Sequence, residues 1–314
     1  MTVALGANAK LFGKVESVYG TPPSGNYARL PFISDNLGSS FNTIESPVLG
    51  QGREPVQPAD GTIDVGGTIV VPLETRAIGV WLKHLLGAPV TSGSGPYTHV
   101  FTSGAAALPS LALEMALTDL GVYLMRAGCM VNTLDINMSA DGNAQPQMSL
   151  GMLGKSEAKA TSSGAGTPTT FSYTPFNAFS GTLKRNGTAL GNVTDATFQY
   201  NNGNQAFRVL GSGQAIGGVD IGLPQCSGNV TVRFDSTTLY DDAIAGTGLV
   251  LDFIYAIDVS NSLTLEITNA RIGKGPQNVS GPGGITSQMD WRGYKDSGSA
   301  HMLTATLVND VAGY

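Results

Sequence analysis

The sequence predicts a mainly β protein: two tandem β-sandwich or barrel domains, each with one flanking α-helix, related by internal duplication. Three observations carry this expectation. Apolar and polar residues alternate in period two along most of the chain, the pattern of strands with one covered face. Each half also holds one stretch in which apolar residues recur at helical spacing. Finally, a glycine-rich phrase, VLGQG from Val48, returns as VLGSG from Val209.

The repeat extends beyond the phrase. At the constant offset of 161 that separates the two valines, Gly61 meets Gly222, Gly67 meets Gly228 and Val71 meets Val232. Leu73, Glu74 and Thr75 then meet Phe234, Asp235 and Ser236, alike in chemical type. At the shorter offset of 152, SLALEM from Ser110 meets SLTLEI from Ser262, which places Glu114 and Glu266 at one repeat position. The lost residues fit a shorter second loop, without a counterpart to PVTSGSGP. Order and spacing of these identities argue for duplication.

In chain order, the first half offers strands at GTIVVPL (67–73), SLALEMAL (110–117), VNTLDINMS (131–139) and PQMSLGML (146–153). Its helix lies in ETRAIGVWLKHLLG, where Ile78, Trp81, Leu82 and Leu85 form one stripe and Gly87 is the stop. The second half offers strands at GNVTVRF (228–234), GLVLDFIYAI (248–257), SLTLEITNARI (262–272) and AHMLTATLVN (300–309). In SLTLEI, Leu263, Leu265 and Ile267 share one face. Its helix lies in DSTTLYDDAIAG, with Asp235 or Ser236 as cap, Tyr240, Ala243 and Ile244 as stripe and Gly246 as stop.

Ahead of each strand–helix unit lies a long Gly- and Pro-punctuated segment, residues 45–66 and 207–227. Loops of that length in a compact domain are usually functional or disordered. Disorder would not require the same phrase twice, so Val48, Leu49, Gly50, Gly52 and Arg53, with Val209, Leu210, Gly211 and Gly213, are expected to dock on a neighbour. Between the halves, GKSEAKATSSGAGTPTT is poor in apolar mass and reads as a linker. The expected division is 1–154, a first β domain; 155–170, the linker; and 171–314, a second β domain.

Charge is scarce. Only 13% of residues are charged, against 42 glycines, whereas soluble domains carry about 25% charged residues. A chain so sparing of charge is expected to bury surface in an assembly; an extracellular adhesive protein is the competing explanation. Residues 1–160 carry 9 Lys/Arg and 12 Asp/Glu, and residues 161–314 carry 8 and 11. Each half is therefore acidic, against a nucleic-acid-binding module that depends on a basic patch. The two cysteines, Cys129 and Cys226, fall one in each half and read as buried thiols of a reducing cytosol. The N-terminus lacks the basic start and apolar core of a secretory signal, and the longest apolar run is interrupted by Asp252, so no membrane insertion is expected.

No catalytic, cofactor-binding or metal-binding residue is expected. His84, His99 and His301 lack a second His or Cys at ligand spacing. No G-x-S-x-G elbow occurs. GMLGKS resembles a phosphate loop but has Ser149 where its first glycine belongs, with no helix following. Asp241 and Asp242 are adjacent on a predicted helix and point apart. The symmetrical placing of Glu114 and Glu266 suits a structural role. Clustered aromatics with paired carboxylates, as a glycosidase needs, are missing.

The strand–helix unit GTIVVPLETRAIGVWLKHLLG, then GPYTHVFTSG, LPSLALEM and AGCMVNTLDINMSADG, taken in that order, resembles the major tail protein, or tail tube protein, of long-tailed bacteriophages. The resemblance covers most of the chain. It implies β-sandwich domains with a flanking helix, whose inner sheets join around a ring into a β-barrel channel for DNA ejection. Most such proteins carry one domain in a hexameric ring; this tandem chain would need three copies, a homotrimeric ring with pseudo-sixfold symmetry. The two glycine-rich segments would then be ring-stacking loops. The resemblance further implies assembly in the host bacterial cytoplasm, a place in the virion tail, transient passage of double-stranded DNA, and tape measure, tip and terminator proteins as partners. A capsid decoration protein or a tail fibre of adhesin type is the competing class.

A channel wall must not hold DNA. Lys and Arg would neutralise phosphates and grip the duplex, whereas a neutral or acidic wall keeps it centred. The wall is expected from polar faces of period-two strands, with Asn132, Asp135, Thr304 and Thr306 as lumen candidates. A slip of one residue in register would turn them inward.

Overall fold

The computed structural model describes residues 3–49, 52–141, 145–178, 181–279 and 281–314. Its first half runs β1 (Ala9–Val15), β2 (Ala28–Leu30), β3 (Ser34–Asp35), β4 (Gly38–Ile44), β5 (Ala59–Pro72), α1 (Ile78–Leu86), β6 (Val90–Ser92), β7 (Tyr97–Thr102), β8 (Leu111–Leu117), β9 (Val122–Ser139) and β10 (Gln147–Gly154). Two short strands follow, β11 (Ser156–Ala160) and β12 (Thr169–Thr170). The second half runs β13 (Gly181–Arg185), β14 (Thr188–Ala189), β15 (Val193–Asn201), β16 (Gln205–Phe207), β17 (Gly218–Asp220), β18 (Gln225–Arg233), α2 (Thr238–Ala245), β19 (Leu249–Asp258), β20 (Asn261–Ile272), β21 (Gln277–Asn278), β22 (Thr286–Gly293) and β23 (Leu303–Asn309). The chain is mainly β, as its alternation predicts, and every strand expected from the sequence is present.

One sheet runs through both halves. Its ladder order is β3 and β4, β5, β10, the C-terminal part of β9, β15, β18, β22, and finally the end of β20 with β21. Among the described residues, β16 with β17 forms a separate ribbon, and two further sheets branch from the first through shared strands. One is β12–β2–β1–β8–β9–β11, using the N-terminal part of β9. The other is β14–β13–β19–β20–β23–β7–β6, using the N-terminal part of β20. Long strands β9 and β20 therefore each serve two sheets. In β9 the change of partners falls at Gly128, whose φ of +66° suits glycine; a Cβ there would come 2.7 Å from the Lys155 side chain.

Cores form where alternation aims apolar side chains inward. Met148, Leu150 and Met152 of β10, Leu263, Leu265 and Ile267 of β20, and Leu303, Ala305 and Leu307 of β23 are all buried. Phe198, Phe253 and Trp291 pack with ring centroids 5.5 to 6.0 Å apart. In α1 the whole expected stripe, Ile78, Trp81, Leu82 and Leu85, is buried, and Gly87 ends the helix at φ +102°. Glu74 holds its start, accepting from the backbone N–H groups of Arg76 at 2.9 Å and Ile78 at 3.0 Å. Cys129 and Cys226 are buried free thiols, their ionisation pushed up by burial.

Four expectations are corrected. The segment 155–170 is not a free spacer: Ser156–Ala160 forms β11 on β9, and Ala165 is fully buried beside Phe12 and Tyr27. Its charged composition is that of an edge strand, which needs little apolar mass. In α2 neither Asp235 nor Ser236 is the cap residue; the helix starts after Thr237, while Ser236 Oγ accepts from Thr238 N at 3.2 Å. Its buried residue is Leu239, and Ile244 is 62% exposed. Glu114 and Glu266 lie in unlike places: Glu114 is buried, accepting from Ser163 Oγ and Gly164 N, whereas Glu266 faces Asp252 and Thr304 across the sheet.

Candidate channel wall and assembly seam

The shared sheet has one apolar and one polar face. Register traces the polar face without interruption: Ser34 faces Val70, Val70 faces Ser149, and Ser149 faces Asp135. Asp135 faces Gln199, Gln199 faces Ser227, Ser227 faces Arg292, and Arg292 faces Arg271. Directly opposed residues project to the same side of a sheet, so this row crosses the whole sheet on one face. Neighbouring rows add Asn137, Ser139, Asp195, Thr231 and Gln288. Between these positions Leu134, Ile136, Ala196, Phe198 and Tyr200 turn to the core.

The face is mostly uncharged Ser, Thr, Asn, Gln and Gly. Its charged members are Asp64, Asp135, Asp195 and Asp290 against Arg233, Arg271 and Arg292. Arg208, from the segment between the short strands β16 and β17, pairs with Asp64. Lys274, at the sheet's edge, turns to the Tyr240 ring, 5.1 Å from its centroid. Burial raises the Asp135 carboxyl above its usual range, partly countered by a hydrogen bond from Gln199.

The expected lumen residues are not all brought together. Asp135 lies in the middle of the polar row. Asn132 is in the same strand but at its register shift, unpaired between Val131 and Thr133. Its Oδ1 instead accepts from Asn204 N at 2.9 Å. Thr304 and Thr306 belong to β23 and face Glu266 and Thr264 in another sheet. The polar positions of β15, β18 and β22 did not stand out in the sequence, although Thr197 and Gln199 alternate with Phe198 and Tyr200 in a readable strand pattern.

Where the halves meet, β15 pairs with β9 from Asp195 opposite Ser139 to Asn201 opposite Thr133. Beyond the ladder, Asn202 donates its backbone N–H to the Asn132 carbonyl at 2.8 Å and its side-chain amide to the Leu85 carbonyl at 2.9 Å. A second link is β7, a first-half strand paired with β23.

Both glycine-rich segments leave this sheet at the same end. Arg208 donates to the Ile63 carbonyl at 2.9 Å, and Ile63 N donates to the Gln214 carbonyl at 2.9 Å. Val48 and Val209 are exposed, as is Arg53, while Leu49 and Leu210 stand at 94% and 106% exposure. Gly52 and Gly213 turn through positive φ, +93° and +66°, as does Gly211 at +96°. Gly50 lies outside the described residues. The second segment is closed at its base by a ribbon of β16 and β17, with Phe207 opposite Gly218.

Each histidine makes contacts within the fold; His301 meets the Ser103 carbonyl through Nδ1 at 2.9 Å. His84 is buried, bonded through Nδ1 to the Val80 carbonyl, and burial lowers its pKa to about 4. His99 lies among Thr91, Asn309 and the Val311 carbonyl. Among the described residues, no group of three or more His, Cys, Asp or Glu side chains could hold a metal ion. No helix among them is long and apolar enough to cross a membrane.

No curated protein matches this sequence. The family model for the phage tail tube protein matches residues 6–293, which takes in the polar wall, both exposed loops and the seam between the halves. The chain belongs to the phage tail tube protein family, whose members are structural components of the virion tail.

Proposed function

We propose that three copies of this chain close head to tail into a ring, and that rings stack into the hollow tube through which double-stranded DNA leaves the virion. The seam between β9 and β15, together with the recurrence of its surroundings, carries the reading. Ser34 faces Val70, Asp35 faces Ile69 and Ser39 faces Val65. Displaced by 161 positions, Asp195 faces Thr231, Ala196 faces Val230 and Tyr200 faces Cys226. The bond from Thr68 N to Asn36 Oδ1 recurs at the same displacement, from Asn229 N to Thr197 Oγ1. Each half thus contributes four wall positions in the same order. This supports a duplication, with domains 1–154 and 171–314 and with 155–170 as a strap laid on the first.

Inside the chain, the last wall strand of the first half meets the first wall strand of the second. Two equivalent edges remain open: β3 and β4 at one end, β20 and β21 at the other. Pairing them between copies repeats one head-to-tail contact, which closes a ring when the rotation allows. Asn201 opposite Thr133 then becomes Ser40 opposite Lys274 of the next copy. Val131 faces Met152 and Ile272 faces Trp291, so Met138 and Val279, each seven residues on, are counterparts. Met138 packs on the core, while Val279 is 70% exposed at the open edge.

The polar face would line the channel, near neutral as passing DNA requires. The exposed Leu49 and Leu210 would dock on the adjacent ring. On this reading, synthesis and assembly would take place in the host cytoplasm. Cryo-electron microscopy of purified protein tests the assembly, with hollow tubes of three-subunit rings expected. Isolated particles, or six subunits per ring, would overturn it. Shortening the first loop within residues 45–58, clear of strand β5 and of Ile63 and Asp64 that Arg208 contacts, should leave folded rings that no longer stack.

A further inference from the structure

The seam inside the chain and the seam between chains are not chemically alike. We infer that Phe41 of one copy seats against Ile244, at the C-terminal end of α2 in the next copy. The inference rests on the ring reading above.

At the inner seam, the residue just after wall strand β15 is Asn202. It is buried, and its amide reaches the carbonyl of Leu85, two residues before the glycine that ends α1. One repeat earlier, the position of Asn202 is held by Phe41, which is 70% exposed. Two residues before Gly246, the glycine that ends α2, stands Ile244. Counted back from the helix-ending glycines, Leu85 holds the matching place in α1 and is buried, whereas Ile244 is 62% exposed. The two residues that would meet at the outer seam are therefore both large, apolar and exposed. Their counterparts at the inner seam are both buried.

The difference follows from the tether. Within one chain the two halves are held together covalently, and a polar link through Asn202 is sufficient to fix the fit. Between chains, association must overcome the loss of translational and rotational freedom, and burying apolar area is the main favourable contribution available. An aromatic ring on an aliphatic side chain supplies that area. The same pair explains why the helical stripe of α2 includes Ile244 although the single chain leaves it uncovered.

Paired cysteines test the contact in the full chain. Phe41→Cys with Ile244→Cys, treated with a short bismaleimide, is expected to give covalent dimers and trimers on a denaturing gel. The native thiols are buried and should not react. Ser40→Cys with Lys274→Cys reports the strand seam independently. Linkage at 40/274 without linkage at 41/244, in protein that forms tubes, would overturn the Phe41 contact and leave the ring standing. Monomers from both pairs, with no tubes, would overturn both. As a second measurement, Phe41→Ser should raise the concentration needed for assembly by about tenfold or more, while Phe41→Leu stays close to the parent. An unchanged assembly concentration in Phe41→Ser would also sink the contact.

Discussion

Tyr314 lies against the bare Cα of Gly79 in α1, so close that a Cβ on the glycine would sit 2.2 Å from the tyrosine Cζ. The ring cannot simply retreat. Its hydroxyl donates to the Arg76 carbonyl and accepts from Asn309 Nδ2, both at 2.6 Å. Beside it Arg76 pairs with Asp310. These contacts join the first-half helix to the strand end of the second half. Gly79→Ala should gain roughly 1 kcal/mol of helix propensity and lose about 1–3 kcal/mol to overpacking, for a net destabilisation. In a Tyr314→Ala background the same substitution should instead be neutral or stabilising. A double-mutant cycle by chemical denaturation checks the reversal, and equal effects in both backgrounds would rule the contact out.

Arg126 is buried and closes on two carboxylates, Asp35 of β3 and Glu157 of β11. Glu157 also accepts from Ser39 Oγ at 2.9 Å. This triad pins β3 and β4, at the edge of the shared sheet, to the β12–β2–β1–β8–β9–β11 sheet. The residues 161 positions on from Asp35 and Ser39 are Ala196 and Tyr200, both buried in the apolar core. Arg126→Met would leave two carboxylates without their cation, a loss of about 3–5 kcal/mol. The triple variant Arg126→Met, Asp35→Leu, Glu157→Met should recover most of it. A urea titration of both variants decides; a triple variant no better than the single would show that the charges themselves are not the issue.

The sequence announced its strands because one face of each is covered: β10 alternates without a break, and β20 does so from Leu263 to Ile267. It announced α1 because four buried apolar residues share one stripe. It could not announce β11, since an edge strand made of Ser, Glu, Ala and Lys has the composition of a spacer. Nor could it place Thr304 and Thr306, because outward faces of two different sheets carry the same alternation. Asn132 sits at a bulge, which alters the side-chain parity within β9 and which a strict alternation does not show. Ile244 reads as core from its spacing alone, and only the fold reveals that its cover is missing within the chain. What a period cannot carry is the identity of the neighbour.

Glu266 and Asp252 face each other across β20 and β19. Burial raises both carboxyls; Asp252 raises Glu266 further, while Lys184 opposite Asp252 works the other way. The sign follows directly. A carboxyl whose folded pKa is raised costs nothing below its unfolded value, and the cost grows as pH climbs through the folded value. Glu266→Gln should therefore stabilise the chain at neutral pH, by less than about 1 kcal/mol for partly exposed like charges, and the gain should vanish near pH 3. Denaturation midpoints at the two pH values provide the check. An equal gain at both would assign the effect to packing.

The polar wall makes the sharpest demand on function. Asn137, Gln225 and Gln288 sit on its face, exposed, in three different strands. None belongs to the ion pairs of the chain, so Lys at all three should leave folding and tube assembly unchanged. The wall would then change from near balance, four Asp against three Arg, to a clear positive excess repeated in every ring. Each phosphate neutralised strengthens binding in a salt-dependent way, with log K falling by about 0.9 per contact for each decade of salt. DNA would be held where it should slide. Phage carrying the triple variant should eject DNA more slowly than the parent, most at low salt, and approach the parental rate as salt rises. Tubes of normal length with parental ejection at every salt concentration would show that this face does not line the channel.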